Sequence, residues 1–260
     1  GTQTQTQAGY PILSGAYPVE KTSAGTVILD QANTLASTIN VRGGTVRLGT
    51  ASALLSGTLS PFAGGTVSLG PQVKATVAGL APNAGGLVDL GTGAITVAAA
   101  GLSTSSLTTA LAKGFANGAW TGTAGIVSSA AAASVAAGIP RTVGWIDTGN
   151  GSLKVGFAAP GDANLDGMID DLDVAVLLGS SKFGNGAAAT WQQGDFNYDG
   201  LFDILDVAAL ASTNLYNGGA YNAPAAAMGS IAAVPEPAGF SFLLAACGCG
   251  FAAAWRRSRR

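Results

Sequence analysis

Carboxylates are concentrated in two short stretches of this chain, GDANLDGMIDDLD beginning at Gly161 and GDFNYDGLFDILD beginning at Gly194. Of the 14 Asp and Glu residues in the 260-residue sequence, nine fall within these two stretches. Such oxygen-rich clusters suit a hard divalent cation, because Ca²⁺ takes about six to eight oxygen ligands. The alternative is a solvated acidic loop without an ion, in which the converging carboxylates repel one another.

The spacing of the acidic residues matches a 12-residue calcium loop, which presents oxygens from positions 1, 3, 5, 7, 9 and 12. The two stretches lie 33 residues apart, and each has a glycine at position 6, where the loop turns sharply. Position 7 ligates through its main-chain carbonyl. The sequence therefore predicts two Ca²⁺ ions per chain, with these ligands: Asp162, Asn164, Asp166, Met168, Asp170 and Asp173 in the first loop, and Asp195, Asn197, Asp199, Leu201, Asp203 and Asp206 in the second.

The sequence around the loops indicates the kind of module. Ala159-Pro160-Gly161 precedes the first loop and cannot be the last turn of an entering helix. Each loop is followed by a helical pattern, LDVAVLL and LDVAALA, and then by KFGNG or LYNGG. This duplicated loop-and-helix pattern resembles the type I dockerin domain over residues 161–218. The resemblance implies a small α-helical, EF-hand-like module that docks on a cohesin-like partner through loop positions 10 and 11, here Asp171 with Leu172 and Ile204 with Leu205.

Residues 1–100 contain a repeated phrase: GTVIL, GGTVRLG, GGTVSLG and GGLVDLG, with the glycine that opens each G-x-V-x-L core at positions 25, 44, 65 and 86. A repeat near 20 residues, built on a short alternating strand, favours one coil of a parallel β-solenoid. Alternation places Val and Leu on one face and Thr, Arg, Ser or Asp on the other. An antiparallel sandwich with similar strands is the less favoured alternative.

Residues 101–160 lack the G-x-V-x-L repeat and have a different sequence pattern. SLTTALAKGFANG and SSAAAASVAAG predict two short helices, and RTVGWIDTGNGSLKVGFA predicts a hairpin that turns at Thr148–Gly151. We expect this block to cap the solenoid, because an uncovered end exposes strand edges. Residues 219–233 have the composition of a linker.

The C-terminal segment, residues 234–260, combines Pro235-Glu236-Pro237, an uncharged stretch from Ala238 to Trp255, and a terminal Arg cluster. An apolar stretch of this length predicts a transmembrane helix, with the Arg residues on the cytoplasmic side. The three features together resemble the PEP-CTERM sorting signal, which implies processing by an exosortase-type enzyme. A plain tail anchor is the alternative.

Composition excludes some functions. The chain has no His, and the four acids in residues 1–160 (Glu20, Asp30, Asp89 and Asp147) are scattered, so no pair of facing carboxylates and no catalytic residue is predicted. Outside the terminal Arg cluster there is no basic patch, and nucleic acid is therefore not an expected partner.

Taken together, the sequence predicts a mainly β protein: a Gly-rich parallel β-solenoid, then a dockerin-like calcium module, then a C-terminal transmembrane helix. We expect a non-catalytic exported protein of the cell surface, outer envelope or extracellular matrix, transiently anchored in the inner membrane through residues 238–255. The architecture resembles that of surface proteins from planctomycete-like bacteria, with a cohesin-like module or a surface polysaccharide as partner. Because the sequence opens with GTQTQTQAGY and has no initiator Met, we expect it to be a fragment or a processed product. The alternative function is the C-terminal part of an exported polysaccharide-degrading enzyme.

Overall fold

Fifteen short strands occur in residues 1–158 of the computed structural model, which describes residues 1–222. The strands are, in chain order, β1 (Thr2–Thr4), β2 (Ser14–Gly15), β3 (Val19–Lys21), β4 (Thr26–Leu29), β5 (Thr34–Leu35), β6 (Thr38–Val41), β7 (Gly44–Leu48), β8 (Leu54–Pro61), β9 (Gly65–Leu69), β10 (Lys74–Leu80), β11 (Leu87–Asp89), β12 (Ala94–Val97), β13 (Gly125–Val127), β14 (Thr142–Asp147) and β15 (Leu153–Ala158).

All of these strands except β2 and β5, which pair with each other, form two long sheets. The first has the order β1-β4-β7-β9-β11-β13 and is parallel throughout. The second has the order β14-β15-β12-β10-β8-β6-β3 and is parallel from β3 to β12. Each coil contributes one strand to each sheet, so the chain winds through about five turns. The predicted parallel β-solenoid is confirmed, and the antiparallel sandwich is wrong.

The core lies between the two sheets and follows the predicted alternation. On β7, Val46 and Leu48 are buried while Arg47 between them is partly exposed, and β9 repeats the pattern with Val67 and Leu69. The glycine that opens β9 is required by a close approach, because a Cβ on Gly65 would lie 1.9 Å from the carbonyl oxygen of Val41 on the neighbouring coil. The repeat therefore encodes both the buried face and the turn between sheets.

Four α-helices and two short 3₁₀ helices occur in residues 1–222: α1 (Thr104–Phe115), α2 (Ser129–Ala136), α3 (Asp171–Ser180) and α4 (Ile204–Ser212), with the 3₁₀ turns Ala116–Gly118 and Trp191–Gln193. The two helices predicted in residues 101–160 are confirmed as α1 and α2. The predicted hairpin is also confirmed, since β14 and β15 pair antiparallel with Asp147 opposite Leu153.

The last coil of the solenoid is covered on both sheets. Strand β13 pairs with β11, and β15 pairs antiparallel with β12, so both outer edges of that coil are hydrogen-bonded.

Residues Gly1–Asn222 form one compact unit, which includes both acidic loops and α3 and α4. None of the helices in residues 1–222 combines the length and apolar character that a membrane crossing requires. The predicted transmembrane segment 238–255 lies outside the described residues.

Candidate metal centre

Each acidic loop runs directly into a helix. The first loop lies between β15 and α3, and the second lies between the 3₁₀ turn Trp191–Gln193 and α4. No helix enters the first loop, because the chain leaves the strand at Ala158 and passes through Pro160. The loop-then-helix arrangement expected from the sequence is therefore confirmed.

The side chains at positions 1, 3 and 5 of the first loop turn inward toward the loop backbone. Asp162 accepts hydrogen bonds from the backbone N–H groups of Asp166 and Gly167, at 3.2 and 3.0 Å. Asn164 Oδ1 also accepts from Asp166 N at 2.8 Å, and Asp166 Oδ1 accepts from Met168 N at 2.9 Å. These side chains are thereby hydrogen-bonded to one short stretch of backbone, Asp166 to Met168.

The second loop repeats this arrangement at equivalent positions. Gly200 N donates to Asp195 Oδ2 at 3.1 Å, Asp199 N donates to Asn197 Oδ1 at 2.8 Å, and Leu201 N donates to Asp199 Oδ1 at 2.9 Å. The position-6 glycines have positive φ angles in both loops, 98° and 90°, which a side chain would strain. Two loops of different sequence thus share one conformation.

Positions 9 and 12 join each loop to the helix that follows it. Asp170 and Asp203 are N-cap residues: their Oδ1 atoms accept from Leu172 N at 2.8 Å and from Leu205 N at 2.7 Å. The position-12 carboxylates reach back as well, because the N–H groups of Asp170 and Asp203 donate at 2.9 Å to Asp173 and Asp206. This reciprocal capping box stabilises the first turn of each helix.

Position 12 also fixes the start of each loop. Oδ1 of Asp173 accepts from Ala163 N and Asn164 N, at 2.8 and 3.1 Å. Oδ1 of Asp206 accepts from Phe196 N and Asn197 N at the same distances. The capping role was not foreseen from the sequence, although the D-x-x-D spacing at the helix starts is a recognisable signal for it.

The main-chain carbonyls at position 7 are left open in both loops. The carbonyls on either side are used: Gly167 and Ile169 accept from Tyr221 N and Asn217 N, and Gly200 and Phe202 accept from Ala189 N and Gly184 N. No backbone N–H within residues 1–222 bonds to the carbonyl oxygen of Met168 or Leu201. These two carbonyls are the ones that the calcium-loop frame assigns to the ion.

The carboxylates at position 1 are buried, and burial disfavours their ionised form. Asp162 is 1% exposed, and its burial, with the nearby charge of Asp173, raises its pKa to about 7. Burial and the charge of Asp206 raise the pKa of Asp195 to about 6. Asp195 Oδ1 is buried and has no hydrogen-bond partner among the described residues. A cation in each loop would offset these charges and give Asp195 Oδ1 a partner, so the donor set fits Ca²⁺.

Carboxylates alone do not form either site. Within residues 1–222, no group of three or more Asp, Glu, His or Cys side chains is placed to hold a metal ion. Each loop instead combines its carboxylates with an Asn amide oxygen and an open main-chain carbonyl. Hydrogen bonds within each loop join its side chains to its own backbone, and positions 9 and 12 also serve the helix starts.

Tyr221 is a contact of the first loop that the sequence gave no reason to single out. Its hydroxyl donates to Asp162 Oδ2 at 2.6 Å, and its backbone N–H donates to Gly167 O at 3.0 Å. The guanidinium of Arg141 lies 5.2 Å from the centre of its ring. Tyr221 falls in the segment predicted as a linker, where an aromatic residue among small ones was the available signal.

Aromatic side chains pack the two loops against the end of the solenoid. Trp191 is buried, and its indole N–H donates to Asp162 O at 2.9 Å. The hydroxyl of Tyr198, at position 4 of the second loop, donates to the carbonyl of Val143 on β14. The Tyr198 ring lies 5.3 Å from Phe115 and 5.6 Å from Trp120, centre to centre. Both loops are therefore fixed to the solenoid as well as to their own helices.

Comparison with protein-family models, with curated proteins and with solved structures finds no match to this chain.

Proposed function

We propose that this chain is a non-catalytic exported surface protein in which two Ca²⁺ ions hold a dockerin-like helical module on the end of a β-solenoid. The observation that carries the proposal is the duplicated pattern at position 7: the carbonyls of Met168 and Leu201 are open while those beside them are hydrogen-bonded. In the 12-residue calcium-loop frame, position 7 is the position whose main-chain carbonyl binds the ion.

The ion supplies positive charge at a place where the chain buries carboxylates. The first ion is held by Asp162, Asn164, Asp166 and Asp173, with the Met168 carbonyl and Asp170; the second is held by the equivalent residues from Asp195 to Asp206. Without a cation, the buried position-1 carboxylates destabilise the folded loops through desolvation and mutual repulsion. Binding to the folded loops alone makes part of the binding free energy a folding free energy.

The role of calcium in this proposal is structural. The first loop contacts Trp191 through Asp162 O, and the second contacts β14 through Tyr198. Ordering the loops therefore orders the aromatic contacts that close the solenoid. The expected result is one cooperative unit, rather than a module that folds independently of the strands.

A second function, protein docking, is favoured by exposed apolar residues at loop positions 10 and 11. Leu172, Ile204 and Leu205 are 62%, 67% and 59% exposed, although each is large and apolar. Exposed apolar residues grouped at helix starts are typical of a surface that a partner covers. We propose a cohesin-like module as that partner, which also fits the alternative of a polysaccharide-degrading enzyme anchored through this module.

Export rests on the C-terminal segment, whose residues lie outside those that the structure describes. Pro235-Glu236-Pro237, the apolar stretch 238–255 and the Arg cluster support a sorting signal recognised by an exosortase-type enzyme and a transient membrane anchor. We propose the cell surface or extracellular matrix as the destination.

Thermal unfolding of the full chain, followed by tryptophan fluorescence, tests the proposal. Trp191 lies against the first loop, so that loop contributes to a signal shared with the other three Trp residues. We expect Ca²⁺ to raise the melting temperature, excess chelator to reverse the change, and Mg²⁺ at the same concentration to have a smaller effect. Identical unfolding curves with Ca²⁺ and with chelator would contradict the proposal.

A further inference from the structure

The outward face of the first sheet carries a polar row that the proposed function does not use. Arg47, Ser68 and Asp89 occupy the same register position on β7, β9 and β11. Neighbouring strands are spaced by about 4.8 Å, so the three side chains follow one another along the solenoid axis. All three are partly exposed, in contrast to the buried apolar residues that alternate with them.

A groove of about 460 Å³ lies over this row. Its walls include Pro71, Thr92 and Ser129 in addition to the three residues of the row. Ligand sites in proteins usually occupy about 300–1,000 Å³, so the groove has room for one or two sugar units. It involves none of the proposed calcium ligands.

Several polar groups in the groove are available to a ligand. The one ion pair within residues 1–222 joins Arg42 to Glu20, so Arg47 has no carboxylate partner in that part of the chain. Asp89 Oδ1 accepts from Gly91 N and Ser129 N, at 3.0 and 2.8 Å, which fixes the carboxylate in place. The second oxygen of Asp89 makes no hydrogen bond to another described residue. The groove therefore offers a cation at one end and an acceptor at the other.

Charge is divided between the two halves of the described chain. Residues 1–160 contain seven basic and four acidic residues, a net charge of +3, whereas residues 161–222 contain one basic and nine acidic residues, a net charge of −8. An anionic polymer is therefore attracted to the solenoid and repelled by the loops. Two bound Ca²⁺ ions reduce the charge of residues 161–222 to −4, so the solenoid remains the more favourable half for an acidic ligand.

We propose that this groove binds an acidic polysaccharide, with a uronate carboxylate on Arg47 and sugar hydroxyls on Ser68 and Asp89. The planar guanidinium of Arg matches a carboxylate with two parallel hydrogen bonds. Asp89 accepts hydrogen bonds from hydroxyl groups and repels a second anion. The groove therefore selects a chain in which charges alternate with hydroxyl-bearing stretches, and it disfavours a densely charged polyanion.

Titration calorimetry of the full chain with hyaluronan oligosaccharides, in which uronates alternate with uncharged sugars, at low salt and saturating Ca²⁺, tests the proposal. We expect binding of the acid form and none of the methyl-esterified form, in which the carboxylates are neutral. Arg47→Gln should weaken binding about tenfold or more, because a hydrogen bond between charged groups is lost. Arg47→Lys should retain part of the affinity. Lys74→Gln, which removes an exposed positive charge outside the groove, is the matched control and should bind as the unchanged chain does.

Three outcomes would overturn the proposal: no binding of the acid form, equal binding of the acid and ester forms, or unchanged affinity in Arg47→Gln. Loss of binding in Asp166→Ala with full binding in Arg47→Gln would place the polymer on loop calcium and also overturn it. Because the groove shares no residue with the loops, failure here leaves the calcium proposal standing, and failure of calcium binding leaves this one testable.

Discussion

The hydroxyl of Tyr221 donates a 2.6 Å hydrogen bond to Oδ2 of Asp162, which lies 59 residues earlier in the chain. The bond stabilises the ionised form of a buried carboxylate whose pKa is otherwise raised by burial. It also brings the chain beyond α4 back onto the first loop. A residue of the segment predicted as a linker is thereby part of the candidate metal centre.

Tyr221→Phe should weaken the first calcium site and leave the second unchanged. Removing the donor costs about 1–3 kcal/mol of hydrogen bonding to a charged group and raises the pKa of Asp162 further, so protons compete better with Ca²⁺. Calcium titration calorimetry should show one site weakened about tenfold. Tyr216→Phe, whose hydroxyl bonds to Asp171 rather than to a proposed ligand, is the control. Equal effects of the two substitutions would contradict this role for Tyr221.

Gly144→Ala should loosen the contact between the calcium module and the solenoid. A Cβ at this position on β14 would lie 2.6 Å from the Trp191 ring, and overpacking of this kind costs about 1–3 kcal/mol. Thermal unfolding should report a melting temperature lower by about 2–4 °C for each kcal/mol. Gly179→Ala in α3, where a Cβ meets nothing within 4 Å, should instead be neutral or stabilising. No difference between the two variants would mean that Trp191 does not need this close fit.

Residues 238–255 should direct membrane association, and the mature surface protein should lack the Arg cluster at 256–260. The stretch is uncharged and long enough for a short span, and terminal Arg residues stay in the cytoplasm. Intact-mass analysis of protein extracted from the surface of a host with an exosortase-type enzyme is the measurement. Recovery of the full chain ending at Arg260 would leave only a tail anchor.

Residues 1–160 should have no catalytic activity on polysaccharides. The four acids of this part are Glu20, Asp30, Asp89 and Asp147, and the oxygen of Asp89 that caps α2 is already engaged. A panel of plant and algal polysaccharides incubated with the full chain and Ca²⁺ should release neither reducing ends nor unsaturated products. Release that is lost in Asp89→Ala or Arg47→Ala would restore the enzyme hypothesis.

The solenoid was predictable because its information is local. Gly65, Val67 and Leu69 repeat a phrase in which alternation defines the buried face and glycine permits the turn. Strand β1 was not foreseen, although it pairs with β4, because the opening GTQTQTQ lacks alternating apolar residues. The length of one coil could therefore be predicted from the sequence. Strand β1 could not, because it forms only by pairing with β4.

The candidate ligands of the loops could be predicted for the same reason, since ligand spacing is a property of 12 consecutive residues. The residues that contact the loops from elsewhere in the chain could not be predicted. Tyr198 bonds to Val143 across 55 residues, and Tyr221 bonds to Asp162 across 59. Contacts of this separation depend on how the solenoid ends, which no local pattern specifies. The joint use of Asp173 and Asp206 as helix-start acceptors likewise appears only once the helices are in place.

Calcium titration calorimetry of the full chain, compared with Asp166→Ala and Asp199→Ala, counts the ions that the two loops bind. Each substitution removes a position-5 ligand from one loop, and Asn164 or Asn197 loses the hydrogen-bond partner beside it. We expect two bound ions for the unchanged chain and one for each variant, with the remaining site only modestly altered by coupling between the loops. Absence of calcium binding to the unchanged chain, or two intact sites in either variant, would contradict this expectation.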